Sequence, residues 1–280
     1  MRVVERAPAK INLALEVVRR RPDGYHDLVT VFQTVDLADE LTFEPADALT
    51  LVCDDPELST EDNLVLRAAR RLAPDRAARI TLTKRIPVAA GLGGGSADAA
   101  AGLRGLRRLW GLHTTEGELL EHAAALGADV PFLLRGGTAL AEGVGERIEA
   151  LPELEEAWVV LHTPEMGPAD KTARAFKALR PQHLTNGSFT RLLAKRIHAQ
   201  VSLPLAEAPN TFEAVADDLF PCLAGARARF AAAGAPWCRL TGAGPTLFTL
   251  VADEARARAI TEALGQPDRT WCVRTLGRLD

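Results

Sequence analysis

Residues 91–96 read Gly91-Leu92-Gly93-Gly94-Gly95-Ser96 and lead into an alanine-rich stretch. Glycine loses more backbone freedom on folding than any other residue, so four within five positions need a reason. A loop in front of a helix supplies one. Without Cβ atoms in the way, several backbone N–H groups can point at one anion, and the helix N-terminus adds partial positive charge. Ser96 adds a hydroxyl donor. This combination suits a polyphosphate, and on the loop alone that reading stands ahead of a flexible strand-to-helix connector. The spacing excludes two other phosphate loops. The Walker pattern needs a Lys where this chain has Gly95. The G-x-G-x-x-G dinucleotide fingerprint is absent, and no early βαβ unit frames the loop.

Other residues with chemistry are spread along the chain. Lys10 and Asn12 lie in a run where Ile11, Leu13, Leu15 and Val17 alternate with Asn12, Ala14 and Glu16. This is the period of a half-buried strand, and it puts Lys10 and Asn12 on one face, opposite the apolar side chains. Tyr25, the single tyrosine, and His26 follow the turn signal Pro22-Asp23-Gly24. Asp129 precedes Val130-Pro131, the pattern of a helix start. By type alone, Lys10 reads as a solvated lysine and Asp129 as a helix N-cap. His113, His122, His162, His183 and His198 belong to no motif.

The elements that must position these groups are mixed. Strands are expected over Leu28–Val35, near Leu41 and Leu51, over Ile80–Lys84 and over Trp158–Leu161. Late strands are expected at Trp237–Leu240, Thr246–Val251 and Trp271–Thr275. Helices are expected over Asn63–Leu72 with Asp62 as cap, Ala97–Trp110, Thr115–Leu126 ending at a left-handed Gly127, Lys171–Leu179, Ser188–Gln200, Ala214–Ala232 and Glu254–Leu264. Without regular βαβ alternation, the class is α+β. The acidic, Pro-containing segment Leu151–Glu156 reads as a connection, which divides the chain into 1–152 and 153–280. The 280 residues are 47% hydrophobic, enough for a sizeable core, and the net charge of -4 argues against a nucleic-acid partner. Four scattered cysteines form no C-x-x-C pair and read as reduced thiols. No stretch approaches the ~18 apolar residues of a membrane span, so the expectation is a soluble cytoplasmic protein.

Five segments together resemble the GHMP kinases. They are Pro8-Ala9-Lys10-Ile11-Asn12-Leu13, Arg21-Pro22-Asp23-Gly24-Tyr25-His26, the stretch from Pro87 through the glycine loop to Ala100, Leu126-Gly127-Ala128-Asp129-Val130-Pro131 and Leu240-Thr241-Gly242-Ala243-Gly244. The resemblance runs from about Pro8 to about Phe248. The first, second and fourth segments are the narrowest. They point to the branch whose acceptor is 4-diphosphocytidyl-2-C-methyl-D-erythritol, rather than to homoserine or mevalonate kinases or a non-catalytic nucleotide-binding protein.

The resemblance implies an N-terminal α+β domain and a ferredoxin-like C-terminal domain, with the active site in the cleft between them. It implies transfer of the ATP γ-phosphate to the 2-hydroxyl of the acceptor, with Mg²⁺ accompanying the nucleotide. It makes Asp129 the catalytic base and Lys10 its cationic partner, with Asn12 orienting the substrate hydroxyls. It puts the cytidine at Tyr25 and His26, with Phe176 on the far side of the base. For ATP it implies Asn63 near the adenine, then Pro87, Ala89, Ala90, Gly91, Leu92, Gly93, Gly94, Gly95, Ser96 and Ala97, with Thr241, Gly242 and Gly244 as a second loop. Ala97 departs from the family pattern, which has a second Ser there, so no protein metal ligand is assigned. A monomer or weak homodimer is expected.

Overall fold

The computed structural model describes residues 1–164, 170–266 and 269–279. The chain runs β1 (Val3–Arg20), β2 (His26–Glu44), β3 (Thr50–Cys53), α1 (Leu64–Leu72), β4 (Arg79–Thr83), α2 (Gly94–Trp110), α3 (Glu116–Ala124), α4 (Val130–Arg135), β5 (Thr138–Gly143) and β6 (Arg147–Ala150). It continues β7 (Trp158–His162), α5 (Lys171–Ala178), α6 (Ser188–His198), α7 (Glu213–Leu219), α8 (Cys222–Ala232), β8 (Arg239–Leu240), β9 (Leu247–Val251), α9 (Glu254–Leu264) and β10 (Thr270–Arg274).

The first sheet is organised by β2. β1 lies antiparallel along one edge of β2 for nearly its whole length. The other edge takes β5 over Leu28–Gln33 and β4 over Glu40–Glu44. β3 and β6 close the two ends, β3 parallel to β4 and β6 antiparallel to β5. β1 is irregular in register between Pro8 and Ala9 and again between Asn12 and Ala14. Bulges of this kind re-aim side chains, and these two bracket Lys10 and Asn12. The strand was expected to be half-buried, yet every residue from Ala7 to Val17 is buried. β1 has cover on both faces: α2 and α4 pack on it, and so does α6, where the buried Glu16 carboxylate accepts the N–H of Thr190 at 2.7 Å.

The second sheet has the order β10-β7-β9-β8, antiparallel throughout. With its helices it forms a β-α-β-β-α-β unit of the ferredoxin-like kind. α9 packs against β7, β9 and β10. Leu15 and Val17 of β1 belong to the core under this sheet, while Val159, Leu161, Phe248 and Val273 belong to the core shared with the first one. The two halves therefore meet through apolar side chains.

Several element boundaries differ from expectation. Leu28–Val35 and the Leu41 segment are one strand. The helix expected over Ala214–Ala232 is two, α7 and α8, because Pro221 has no N–H to donate and clashes with the preceding turn. Asn63, not Asp62, caps α1, its Oδ1 accepting the Val65 N–H at 2.9 Å. Gly127 is not left-handed, and the residue that caps the end of α3, Ala125, is in the right-handed helical region. Of Trp237–Leu240, only Arg239 and Leu240 pair. α2 begins at Gly94, so two of the glycines are already in its first turn.

Candidate active site

A cleft of about 1110 Å³ is lined by both halves of the chain. Lys10, Asn12, Tyr25, His26, Asn63, Asp129 and Phe176 face it, as do Pro87–Ser96 except Leu92, and Gly242. Leu92, Ala97, Thr241 and Gly244 do not line it. Leu92 and Ala97 are buried in the apolar core, and the Ala97 N–H is spent inside α2 on the Gly93 carbonyl at 2.8 Å. Thr241 is fully buried, and its hydroxyl accepts the Asn12 N–H at 3.0 Å. These positions hold the wall from behind.

At the floor of the cleft, β1 delivers Lys10. Its Nζ donates to Asn12 Oδ1 at 2.8 Å and to the Gly91 carbonyl at 3.2 Å, and stands 3.7 Å from Asp129 Oδ2. The side chain is 6% exposed. Burial pulls its ammonium below the ordinary pKa of 10.5, and the attraction of Asp129 offsets part of that. Asn12 donates in turn to Thr30 Oγ1 at 2.8 Å, and Thr30 to the Ala14 carbonyl at 2.7 Å. Both ends of the Asn12 amide are thus engaged within the protein, and its oxygen fixes the ammonium of Lys10. Thr30 carried no signal in the sequence.

Asp129 does stand at a helix start, directly before α4, but its carboxylate makes no capping bond. It is left to face Lys10 and the cleft, with its side chain 31% exposed.

The glycine loop has steric reasons for two of its glycines. Gly91 has φ +86°, and a Cβ there would lie 2.5 Å from the Thr241 carbonyl oxygen. Gly93 has φ +74°, and a Cβ there would press on Lys10 Cγ at 3.1 Å. The Thr246 N–H donates to the Ala90 carbonyl at 3.3 Å, and Asn210 Nδ2 donates to the carbonyls of Leu240 and Gly242 at 2.8 and 2.9 Å. The two glycine loops are therefore built against each other.

Beside the loop sits a cluster that the sequence did not reveal, and two of its members, Lys84 and Asp98, also line the cleft. Lys84, just after β4, is ion-paired with Asp39 of β2 and with Asp98 of α2, the latter at 2.7 Å. All three side chains are nearly or fully buried. Burial, only partly offset by Lys84, pushes Asp98 up to about 7.

At the other end of the cleft, His26 and Phe176 stack with ring centroids 4.8 Å apart and planes 22° from parallel. Burial, and secondarily Arg20, lowers the His26 pKa, which favours the neutral imidazole. Tyr25 is 66% exposed at the rim. Phe176 therefore has His26 stacked on it and Phe212 edge-on to it at 4.9 Å, and Tyr25 is not among its ring partners. Asn63 lines the cleft while its amide caps α1 and donates to the Leu58 carbonyl at 2.8 Å. Lys171, the first residue of α5, is a further buried cation on the cleft wall.

Among the described residues no group of three or more His, Cys, Asp or Glu could hold a metal ion. No described helix is long and apolar enough to cross a membrane.

Comparison with known proteins adds to this geometry. A family model described as the GHMP kinases N terminal domain matches residues 63–137, and one described as GHMP kinases C terminal matches 192–268. A curated relative from Dehalococcoides mccartyi, 4-diphosphocytidyl-2-C-methyl-D-erythritol kinase, is 43% identical over 280 residues, covering 98% of each chain. The Bacillus subtilis protein of the same name is 37% identical over 285 residues, covering 99% of this chain and 98% of its own. A crystal structure of 4-(cytidine 5'-diphospho)-2C-methyl-D-erythritol kinase superposes with a TM-score of 0.83 at 36% identity, covering 98% of this chain and 99% of that one. Homoserine kinase from Cytophaga hutchinsonii, at 18% identity and a TM-score of 0.76 over 99% of this chain and 95% of its own, shares the fold.

Proposed function

The chain belongs to the GHMP kinase family, and we infer that it transfers the γ-phosphate of ATP to the 2-hydroxyl of 4-diphosphocytidyl-2-C-methyl-D-erythritol, a step in making isoprenoid precursors by the non-mevalonate route. The observation that carries the chemistry is the buried Lys10 ammonium 3.7 Å from an Asp129 carboxylate that caps nothing.

Phosphoryl transfer asks a protein for position and for charge aimed at the spreading negative charge of the phosphoryl group. Asp129 takes the proton of the attacking hydroxyl. Lys10 holds the hydroxyl and the γ-phosphate together, and Asn12 orients Lys10 as much as the substrate. The oxygen of the acceptor bonds to phosphorus, the bond to the β-γ bridging oxygen breaks, and ADP leaves with that oxygen. The backbone of the glycine loop and the start of α2 hold the ATP phosphates, with Gly242 opposite. A Mg²⁺ ion accompanying ATP would offset phosphate charge, and Ser96 would offer it the hydroxyl closest in sequence to the loop glycines. The base of the acceptor takes the end of the cleft at Tyr25, His26 and Phe176, where a neutral imidazole can both accept and donate a hydrogen bond.

We place the division into domains at 152/153, because the strands of the first sheet end at Ala150 and those of the second begin at Trp158. We place the protein in the cytoplasm as a monomer or weak homodimer.

Coupled detection of ADP with a panel of acceptors tests the assignment. The cytidine compound should be turned over, while homoserine and mevalonate should not. Turnover of homoserine with none of the cytidine compound would overturn it.

A further inference from the structure

Four lysines line this cleft; Lys177 is exposed, and of the three with largely buried side chains two have partners among the described residues. Lys10 has Asn12, the Gly91 carbonyl and Asp129. Lys84 has Asp39 and Asp98. Lys171 is 5% exposed and lines the cleft, yet its side chain makes no hydrogen bond or ion pair with any described residue. A buried charge without a partner is costly, and the usual outcome is a lowered pKa or a ligand of opposite sign. Burial first, then repulsion by Lys10, pushes the Lys171 ammonium down to about 8, and Asp129 offsets part of this. The charged groups facing it are thus Lys10 from β1 and Asp129 from the start of α4. With both lysines protonated, two cations share the Asp129 carboxylate among the described residues that face them.

The place of Lys171 in the fold says which anion. It opens α5, and Phe176 lies five residues further along the same helix, about 7.5 Å along its axis. One end of α5 therefore meets the reacting pair, and the ring stacked on His26 stands further along it. In a nucleoside diphosphate ester, the diphosphate lies between the base and the alcohol. The phosphates of ATP have their own cradle in the glycine loop and α2, on other elements.

We propose that Lys171 binds the diphosphate of the acceptor and so sets the distance between the base site and the hydroxyl that reacts. This rests on the cytidine reading of the site given above. Lys171 is then a specificity residue: it favours a nucleoside diphosphate ester over a bare alcohol.

The test is titration of wild type, Lys171→Met and Lys171→Arg with cytidine and with CDP, alongside steady-state kinetics. Methionine removes a buried charge that has no partner among the described residues, at similar volume, and an unchanged KM for ATP reports an intact fold. Wild type should bind CDP more tightly than cytidine. Lys171→Met should lose about 10- to 100-fold in CDP affinity, the worth of one charge-assisted hydrogen bond, while cytidine binding and the KM for ATP stay within about two-fold. Lys171→Arg should recover much of the loss. The proposal is overturned if CDP affinity is unchanged or if cytidine suffers equally. It is also overturned if kcat falls with the acceptor KM unchanged, which would give the ammonium to the transferring phosphoryl group. Failure of wild type to bind either ligand would instead bring down the cytidine reading, and this assignment with it.

Discussion

Replacing Asp98 with Asn should stabilise the protein in mild alkali and do little or the reverse in acid. The Lys84 cluster brings one ammonium together with two carboxylates in largely buried positions at the cleft wall, a net negative charge. Asp98 is the carboxyl that yields, holding its proton up to about pH 7 where the ordinary value is 3.8. The folded pKa is raised, so between these two values the folded chain keeps a proton that the unfolded chain has released. Stability from this group is fully present below 3.8 and is lost as pH rises through about 7. Over roughly three decades, at about 1.4 kcal/mol each, the loss above pH 7 amounts to about 4 kcal/mol. Asparagine carries no such loss, and its amide oxygen can still accept from Lys84. Its NH₂ group, however, falls where Asp98 Oδ1 has no hydrogen-bond partner among the described residues, at a cost of about 1–3 kcal/mol. The net expectation is a gain of about 1–3 kcal/mol near pH 8.5 and a neutral or unfavourable change near pH 4. Urea unfolding of both proteins at the two pH values measures this. An equal difference at both would show that Asp98 does not titrate in this range and would refute the reasoning.

Two further outcomes follow from the same geometry. Gly91→Ala should raise the KM for ATP at least about tenfold and lower the melting temperature, because its Cβ would meet the Thr241 carbonyl oxygen at 2.5 Å from a backbone at φ +86° and must push the two loops apart; ATP kinetics beside a melting curve decide it, and unchanged kinetics would mean the loops are not braced on each other. Tyr25→Ala should raise the KM for the cytidine substrate about 10- to 100-fold, the range for lost base stacking, with the KM for ATP nearly constant; a shift in the ATP constant instead would put the stacking site on the other nucleotide.

The glycine loop was legible from residue types, because few structural needs explain so much glycine before a helix. Lys10 and Asp129 were not. By type they read as a surface lysine and a helix cap, and only the set of five segments gave them a role. The structure explains why type misled: Asp129 does sit at a helix start but leaves its carboxylate free, and Lys10 is buried because β1 is covered on both faces. Thr30, Asp39, Lys84 and Lys171 left no mark in the sequence because their meaning lies in who they meet. Lys84 finds its partners 45 and 14 residues away. The break at Pro221, by contrast, was readable in advance, since proline inside a helical run ends it at the preceding turn.

The most direct measurement is the single-turnover rate of phosphoryl transfer in Asp129→Asn, with ATP and the cytidine acceptor both saturating and ATP affinity measured alongside. The rate should fall by about 10²- to 10⁴-fold, as for loss of a general base, while ATP binds within about two-fold of wild type. A rate close to wild type would remove Asp129 from the proton transfer and contradict the account.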